Sequence, residues 1–256
     1  MLLVLDIGNT NTVIGIYDRD QLVANWRLST HHARTSDEWG VEVSSLLALE
    51  GLGREAVSAA IISSVVPPLT GALAEMIEAL FRTEPLQVGP GVKTGVKILC
   101  ENPLEVGADR IVNSVAALAL VPGPAIVVDF GTATTFDALS SRGEYLGGAI
   151  VPGLQIAAES LFSRTAKLPR VEVRKPPRLI GRNTIHCIQS GLYYGYAAMV
   201  NGLIRRMRTE LEGEAKVIVT GGLARLIAPE LEGVDRHEPN LTLEGLRIIY
   251  QKNRPA

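Results

Sequence analysis

The stretch that decides the fold is Leu2-Leu3-Val4-Leu5-Asp6-Ile7-Gly8-Asn9-Thr10-Asn11-Thr12, near the start of the chain. An apolar run ends at an acid, then come a glycine and four small polar residues, and the apolar pattern resumes at Val13–Ile16. This pattern predicts a buried strand, a tight turn and a second strand running back. Hydroxyls, amides and backbone N–H groups line the turn and are suited to holding phosphate. Asp6, at the strand end, could orient a metal-bound water.

A related stretch opens the second half: Ala125-Ile126-Val127-Val128-Asp129-Phe130-Gly131-Thr132-Ala133-Thr134-Thr135. It too is an apolar strand followed by Asp-x-Gly and small hydroxyl residues. One such motif is a weak signal, but two, each opening one half of the chain, indicate an internal duplication. We therefore expect two similar sheet domains that face a shared cleft, each offering a phosphate-binding turn. The alternative is two ordinary hairpins with acidic turns.

Composition bounds the class of protein. The chain has 256 residues, of which 46% are hydrophobic, which is enough for one large or two medium domains. The net charge is −2 and no basic run stands out, so we expect no nucleic-acid partner. Cys100 and Cys187 are expected to be free thiols in a reducing compartment. The N-terminal apolar run is too short for a signal peptide, and Pro122-Gly123-Pro124 interrupts the next one, so we expect a cytoplasmic protein without a membrane span.

The order of predicted elements indicates an α/β fold. The first half reads as three strands, a helix, a strand, a helix and a strand, which is typical of a partly antiparallel sheet. Thr35 and Glu38 form a capping-box pattern for the first helix. In the second half, Thr184 is predicted to cap a helix that runs to Gly213. A glycine pair, Gly221-Gly222, follows a further strand and by itself would indicate a plain turn. As the third loop of small residues after a strand, it favours the close approach of a nucleotide to the backbone.

Asp109 follows a loop that contains Pro103 and Gly107, close to a predicted helix start. Its carboxylate could simply cap that helix or interact with its dipole. It could equally accept a proton from a substrate hydroxyl, with Arg110 beside it clamping an anion or the moving phosphoryl group. Spacing alone leaves both interpretations open.

The motifs taken together resemble the type III pantothenate kinases, which belong to the superfamily of actin, the heat-shock chaperones, and the sugar and acetate kinases. Five motifs, in this order and spacing, carry the resemblance: Asp6–Thr12, Gly107–Arg110, Asp129–Thr135, Gly181–Thr184 and Thr220–Gly222. The resemblance covers nearly the whole chain. It implies duplicated ribonuclease-H-like (actin-like ATPase) domains with a cleft between them, over residues 1–116 and 117–256.

The resemblance also implies an activity, the phosphorylation of pantothenate by ATP in the first step of coenzyme A biosynthesis. It implies Asp109 as general base, Asp129 as ligand of a monovalent cation (potassium or ammonium), Mg²⁺ with the nucleotide, and a homodimer. The implied ATP-binding residues are Asp6, Ile7, Gly8, Asn9, Thr10, Asn11, Thr12, Val13 and Thr132. The implied pantothenate-binding residues are Cys100, Gly107, Ala108, Asp109, Arg110 and Thr184. Many family members carry a tyrosine where this chain has Cys100, and that phenol hydrogen bond is missing here.

Three other functions compete with this hypothesis. One is a different enzyme of the same fold, a sugar or polyol kinase or a polyphosphate phosphatase. Another is a non-catalytic transcription accessory factor of the same family, and the last is a nucleotide-binding structural protein. The presence of all three acids, Asp6, Asp109 and Asp129, favours catalysis over the accessory factor. A structural protein would leave the loop around Asp109 unexplained.

Overall fold

The computed structural model describes residues 1–211 and 213–254. The chain forms two compact units. The first contains Met1–Gly95, Asn102–Ala116 and the chain from Leu241 onward, and the second contains Val96–Glu101 and Ala117–Asn240. Within residues 1–211 and 213–254, no helix combines the length and apolar character needed to cross a lipid bilayer.

A five-stranded sheet forms the centre of the first unit. Its strands are β1 (Leu2–Ile7), β2 (Asn11–Asp18), β3 (Gln21–Ser29), β4 (Ala59–Ser64) and β5 (Leu86–Gln87). They lie in the order β3-β2-β1-β4-β5, with β1, β2 and β3 antiparallel and β4 and β5 parallel to β1. The opening hairpin that the sequence predicts is therefore confirmed, and it provides one of the two central pairings of this sheet, the other being β1 with β4.

Two helices cover one face of this sheet, α1 (Ser36–Leu49) and α2 (Pro67–Phe81). The predicted capping box is present, because the Glu38 N–H donates to the Thr35 hydroxyl and the Thr35 N–H donates to the Glu38 carboxylate. A third helix, α3 (Ala108–Leu120), belongs to this unit as far as Ala116. The buried core under α1 and α2 includes Leu3, Leu5, Ile7, Trp39, Leu47, Leu73 and Ile77.

The second unit repeats this arrangement around a six-stranded sheet. Its strands are β6 (Lys97–Ile98), β7 (Ala125–Phe130), β8 (Ala133–Leu139), β9 (Glu144–Pro152), β10 (Lys216–Thr220) and β11 (Arg236–His237). The order β9-β8-β7-β10-β11 matches β3-β2-β1-β4-β5, with the same antiparallel and parallel pairings. The predicted α/β duplication is thus confirmed by topology, and β6 is an addition at the edge beside β9.

The helices of the second unit are α4 (Leu154–Ser163), α5 (Thr184–Ser190), α6 (Tyr196–Glu210) and α7 (Ala224–Ile227). A π-helical turn, Gly191–Gly195, separates α5 from α6, so the predicted continuous helix is interrupted. The prediction that Thr184 caps α5 is also wrong. Asn183 is the cap, because its side-chain oxygen accepts the N–H of His186 at 2.8 Å. The Thr184 side chain stays exposed at the first helical position.

The last helix, α8 (Leu241–Asn253), returns to the first unit and packs on β1, β2 and β4. Its apolar residues Leu243, Leu246 and Ile249 are fully buried there. The expected domains, 1–116 and 117–256, differ from the compact units in this helix and in Val96–Glu101, which pairs with β9 through β6. Both differences come from contacts between residues that are far apart along the chain.

Helix α8 also packs closely on α3. A Cβ atom at Gly245 would lie 2.1 Å from the Val112 carbonyl oxygen, and the Thr242 hydroxyl donates to the Asn113 side chain at 2.7 Å. Glycine at position 245 therefore allows the approach of two helix backbones. This contact supports the helix that begins at Ala108.

We predict that Gly245→Ala lowers the stability of the protein, because the added methyl group would force α8 away from Val112. Overpacking of this kind costs about 1–3 kcal/mol. Gly71→Ala in α2 is the matched control, since no atom of residues 1–211 or 213–254 lies within 4 Å of its Cβ position. In the control, alanine should stabilise the helix by up to about 1 kcal/mol. Thermal unfolding measures both, and equal midpoints for the two variants would contradict the prediction.

Candidate active site

The turn after β1, which the sequence predicts to bind phosphate (the first phosphate turn, residues 8–11), is shorter than the sequence predicts. The Gly8 N–H donates to the Asn11 carbonyl at 3.0 Å, and Asn11 already belongs to β2. Asn9 and Thr10 are exposed at the tip of the turn. A ligand would reach these two side chains first, while the segment from Asn11 to Val13 continues as strand.

Thr30 stabilises this turn by hydrogen bonds to two of its carbonyl groups, a role that the sequence did not reveal. Its N–H donates to the Thr10 carbonyl at 2.9 Å, and its hydroxyl donates to the Gly8 carbonyl at 2.7 Å. The same hydroxyl lies 3.1 Å from the hydroxyl of Thr12, which is fully buried. Thr12, predicted as an ATP-binding residue, therefore braces the turn through Thr30. Ile7 is also fully buried, and its carbonyl accepts the Val65 N–H at 3.0 Å.

Asp6 lies beside Ser63, its partner in the parallel register of β1 and β4. Leu5 and Ile7 face the core under α1 and α2, so alternation along the strand turns Asp6 to the opposite face of the sheet. Ser63 is completely buried, and among the described residues its hydroxyl has no hydrogen-bond partner. A buried hydroxyl without a partner is costly and commonly marks the place of a water, ion or ligand.

Asp109 lies in the first turn of α3, close to the carboxyl ends of β1 and β4. Two contacts connect these elements: a Cβ atom at Gly107 would lie 3.9 Å from Val65, and the Val65 N–H donates to Ile7. The Asp109 carboxylate accepts the Arg110 backbone N–H at 2.8 Å. A Cβ atom at Gly107 would also lie 2.5 Å from the Asp109 Oδ1, so a side chain there would displace the carboxylate. The first unit thus places Gly107 and Asp109 beside Val65, at the ends of the strands that carry Asp6 and Ser63.

The electrostatic environment of Asp109 suits a general base. Burial raises the pKa of its carboxyl above the ordinary aspartate value, although the hydrogen bond from Arg110 and the charge of Arg110 oppose that shift. A carboxylate with a raised pKa holds an abstracted proton more strongly. Asp109 also accepts a backbone N–H at the start of the helix, so its position is compatible with both interpretations that the sequence left open.

Asp129 holds the equivalent position in the second unit. It pairs with Thr220 across the parallel strands β7 and β10, as Asp6 pairs with Ser63. A Cβ atom at Gly221 would lie 2.4 Å from the Asp129 Oδ1, and Gly221 has a φ of +93°. The glycine after β10 is therefore explained by its contact with Asp129 and by its left-handed backbone.

Thr132 is exposed in the second phosphate turn, next to Gly131. The turn packs against the end of β9, where the Gly153 N–H donates to the Thr132 carbonyl at 3.1 Å. A Cβ atom at Gly153 would lie 2.1 Å from that carbonyl oxygen. The backbone of the turn is therefore held from one side.

The remaining predicted substrate residues of the second unit lie apart from this turn along the chain. Cys100 is half-buried beside Gly147 of β9, with its Sγ 3.8 Å from the Cβ position of that glycine. Both Cys100 and Cys187 are free thiols. Thr184 is exposed at the start of α5.

The donor set fits the implied cations. Mg²⁺ that accompanies a nucleotide needs one or two carboxylates besides the phosphates and keeps several waters, and Asp6 supplies such a carboxylate. A monovalent cation takes oxygen ligands, and the Asp129 carboxylate is a donor of that type. Among the described residues, no group of three or more His, Cys, Asp or Glu side chains forms a dedicated metal cluster.

Comparison with known proteins identifies the family. The family model for type III pantothenate kinase matches residues 2–206. The type III pantothenate kinase of Moorella thermoacetica is 55% identical over 253 residues, which cover 99% of this chain and 100% of that protein. The corresponding protein of Geobacter sulfurreducens is 54% identical over 254 residues, with 99% and 100% coverage.

A solved structure supports the fold independently. The ROK hexokinase from Thermus thermophilus matches with a TM-score of 0.52 at 12% sequence identity, and the alignment covers 99% of each chain. At that identity the likeness concerns the fold alone. The family model and the full-length relatives, by contrast, establish the family as well as the fold. The chain belongs to the type III pantothenate kinase family.

Proposed function

We propose that this protein transfers the γ-phosphoryl group of ATP to the primary hydroxyl of pantothenate, the first step of coenzyme A biosynthesis. Membership of the type III pantothenate kinase family supports both the reaction and the acceptor. The observation that carries the proposal is the position of Asp109. It lies at the start of α3, beside the strand ends that carry Asp6, with a pKa raised by burial.

Asp109 is the general base in this proposal. Phosphoryl transfer depends mainly on positioning and on stabilisation of charge. The raised pKa favours removal of the hydroxyl proton as the new O–P bond forms. Gly107, Ala108 and Arg110 would contact pantothenate around the same helix start, and Arg110 would attract the carboxylate of pantothenate or the transferred group.

The two turns bind ATP in this proposal. The first, with Asn9 and Thr10 exposed at its tip, and the second, with Thr132 exposed, offer hydroxyls, an amide and backbone groups to the phosphates. Asp6 would hold Mg²⁺ through water, and Asp129 would hold potassium or ammonium. These cations supply positive charge that offsets the developing charge on the phosphoryl oxygens.

Two substrate contacts come from residues of the second unit. Thr184 is exposed and does not cap its helix, which supports a role in binding. Cys100 is half-buried and would replace the tyrosine of many relatives with a smaller side chain that lacks a phenol. Pantothenate therefore binds here without that hydrogen bond.

A homodimer is the assembly we propose. Within the second unit, several large apolar side chains are exposed, among them Ile150, Phe162, Leu179, Ile180 and Ile185. Exposed apolar groups of this kind are typical of interaction surfaces. At Gly191, Gly195 and Gly202, nothing among the described residues lies within 4 Å of the Cβ position. The chain itself does not use these glycines for close packing, which supports a contact with a second copy.

We also propose that the enzyme works in the cytoplasm. Its two cysteines are free thiols, as in proteins of reducing compartments. The alternatives of a transcription accessory factor or a sugar or polyol kinase are not favoured, because curated relatives at 54–55% identity over the full chain are pantothenate kinases.

The decisive assay couples ADP release to a spectroscopic signal, with and without pantothenate, in potassium and in sodium. We expect release that requires pantothenate and falls by about tenfold or more when sodium replaces potassium, because the cation stabilises charge on the phosphoryl group. Asp129→Asn should lose the difference between the two salts. Release with a panel of sugars or polyols and none with pantothenate would contradict the proposed acceptor. Equal rates in both salts would contradict the role of Asp129.

We predict that Asp109→Asn lowers kcat by about 10²- to 10⁴-fold, because the amide cannot accept the substrate proton. The dissociation constant of a non-hydrolysable ATP analogue should change little, since Asp109 lies outside both phosphate turns. Asp37→Asn is the matched control, because Asp37 is an exposed acid in the first turn of α1. It should keep wild-type turnover, and near wild-type turnover of Asp109→Asn would remove Asp109 from its role.

The raised pKa of Asp109 predicts two effects of pH. The acid limb of kcat/KM should lie above the ordinary aspartate value of 3.8. Because the folded state binds this proton more strongly than the unfolded state, stability is lost as pH rises from 3.8 through the higher folded pKa. The amide side chain of the variant Asp109→Asn cannot ionise, so the variant does not lose this stability. Between about pH 4 and pH 7, the unfolding temperature of the variant should therefore rise relative to that of the wild-type protein. Unfolding temperatures that differ by the same amount at every pH would contradict the raised pKa.

A further inference from the structure

Tyr196 makes a buried polar contact that the proposed reaction does not use. It is the first residue of α6, and only 7% of its surface is exposed. Its hydroxyl oxygen lies 2.7 Å from the Oγ1 of Thr134 and 3.0 Å from the carbonyl oxygen of Pro152. Thr134 is itself buried at 1% exposure. Three polar atoms thus meet in an otherwise apolar core.

The chemistry of these groups determines how they share protons. A phenol carries one proton, and the Pro152 carbonyl can only accept. Both contacts are therefore satisfied when Thr134 donates to Tyr196 and Tyr196 donates to Pro152. Burial raises the pKa of Tyr196, which keeps the phenol protonated for this role, and the Thr134 bond opposes the shift. The result is a short hydrogen-bonded chain from β8 through α6 to β9.

The two ends of this chain flank the second phosphate turn. Thr134 pairs with Phe130 in β7, directly across the turn that contains Gly131 and Thr132. On the other side, Pro152 precedes Gly153, whose N–H donates to the Thr132 carbonyl. The Tyr196 hydroxyl therefore connects to both backbone segments that hold Thr132 in place.

The local backbone marks the same residue. The π-helical turn Gly191–Gly195 ends immediately before Tyr196. An inserted residue of this kind changes which side chains the following helix presents to the sheet, and π turns often occur at functional positions. The π turn and the buried hydroxyl thus point to one residue.

We propose that Tyr196 is a positioning residue for ATP, which acts by fixing the turn that presents Thr132. This inference rests on the proposed function, because it assigns the turn to the nucleotide phosphates. Tyr196 does not touch the nucleotide itself. Its hydroxyl limits the freedom of the turn, so that less conformational freedom is lost when ATP binds.

Tyr196→Phe tests the proposal, because it keeps the ring and its packing and removes only the hydroxyl. We expect the KM for ATP and the dissociation constant of a non-hydrolysable ATP analogue to rise about three- to tenfold, the effect of one neutral hydrogen bond. The KM for pantothenate should change less than about twofold. Thr134→Val should raise the same two constants, whereas Thr134→Ser, which keeps the hydroxyl, should leave them at wild-type values.

Tyr193→Phe is the matched control. Tyr193 lies in the preceding π turn, is 2% exposed, and also uses its hydroxyl, which donates to the Glu230 carboxylate at 3.3 Å. The chemical change is the same, but the bond lies away from the phosphate turn. Thermal unfolding should shift similarly in Tyr193→Phe and Tyr196→Phe, while only Tyr196→Phe should weaken nucleotide binding.

Several results would overturn the proposal. One is that both Tyr196→Phe and Thr134→Val bind the ATP analogue with the wild-type dissociation constant. Another is that Tyr193→Phe weakens binding of the analogue as much as Tyr196→Phe does. A double variant, Tyr196→Phe with Thr134→Val, should lose no more than either single variant, and full additivity would show that the two hydroxyls act separately. Binding of the analogue does not depend on the acceptor. If the wild-type protein binds the ATP analogue but does not phosphorylate pantothenate, the proposed function is contradicted. The role of Tyr196 in nucleotide binding can then still be tested with the same variants.

Discussion

Strand register is the constraint on which both acidic sites depend. Asp6 is opposite Ser63, and Asp129 is opposite Thr220, each across a pair of parallel strands. A slip of one residue would turn either acid into the apolar core and its apolar neighbour to the opposite face of the sheet. The register is fixed on both sides, because β1 and β7 each pair with an antiparallel strand and a parallel one. The placement of both acids therefore depends first on backbone pairing and only then on side chains.

Glycines at points of close contact with an oxygen atom are the second feature that the two units share. Glycine lies against the Asp109 carboxylate at Gly107, against the Asp129 carboxylate at Gly221, and against the Thr132 carbonyl at Gly153. In each case a Cβ atom would come within 2.5 Å of an oxygen. The missing methyl groups let the backbone itself support the functional oxygen. Such support needs no side-chain ordering, so little conformational freedom is lost when a ligand binds.

Local patterns allowed much of this structure to be predicted. The opening hairpin, its duplicate and the capping box at Thr35 all follow from contacts between near neighbours in sequence. Thr30, Ser63 and Tyr196 escaped prediction, because their roles depend on partners brought close only by the sheet or the core. The two-residue strand β6 is too short to show a period. The sequence left two interpretations of Asp109, and the burial that raises the pKa of its carboxyl depends on tertiary packing that the sequence does not show.

The return of α8 to the first unit has a consequence for biosynthesis. Strands β1 to β4 are synthesised well before α8, yet the apolar face that Leu243, Leu246 and Ile249 cover is completed only by that helix. Until α8 emerges from the ribosome, the nascent chain exposes this apolar surface. A truncation that removes α8 would therefore damage the sheet whose strands were made first.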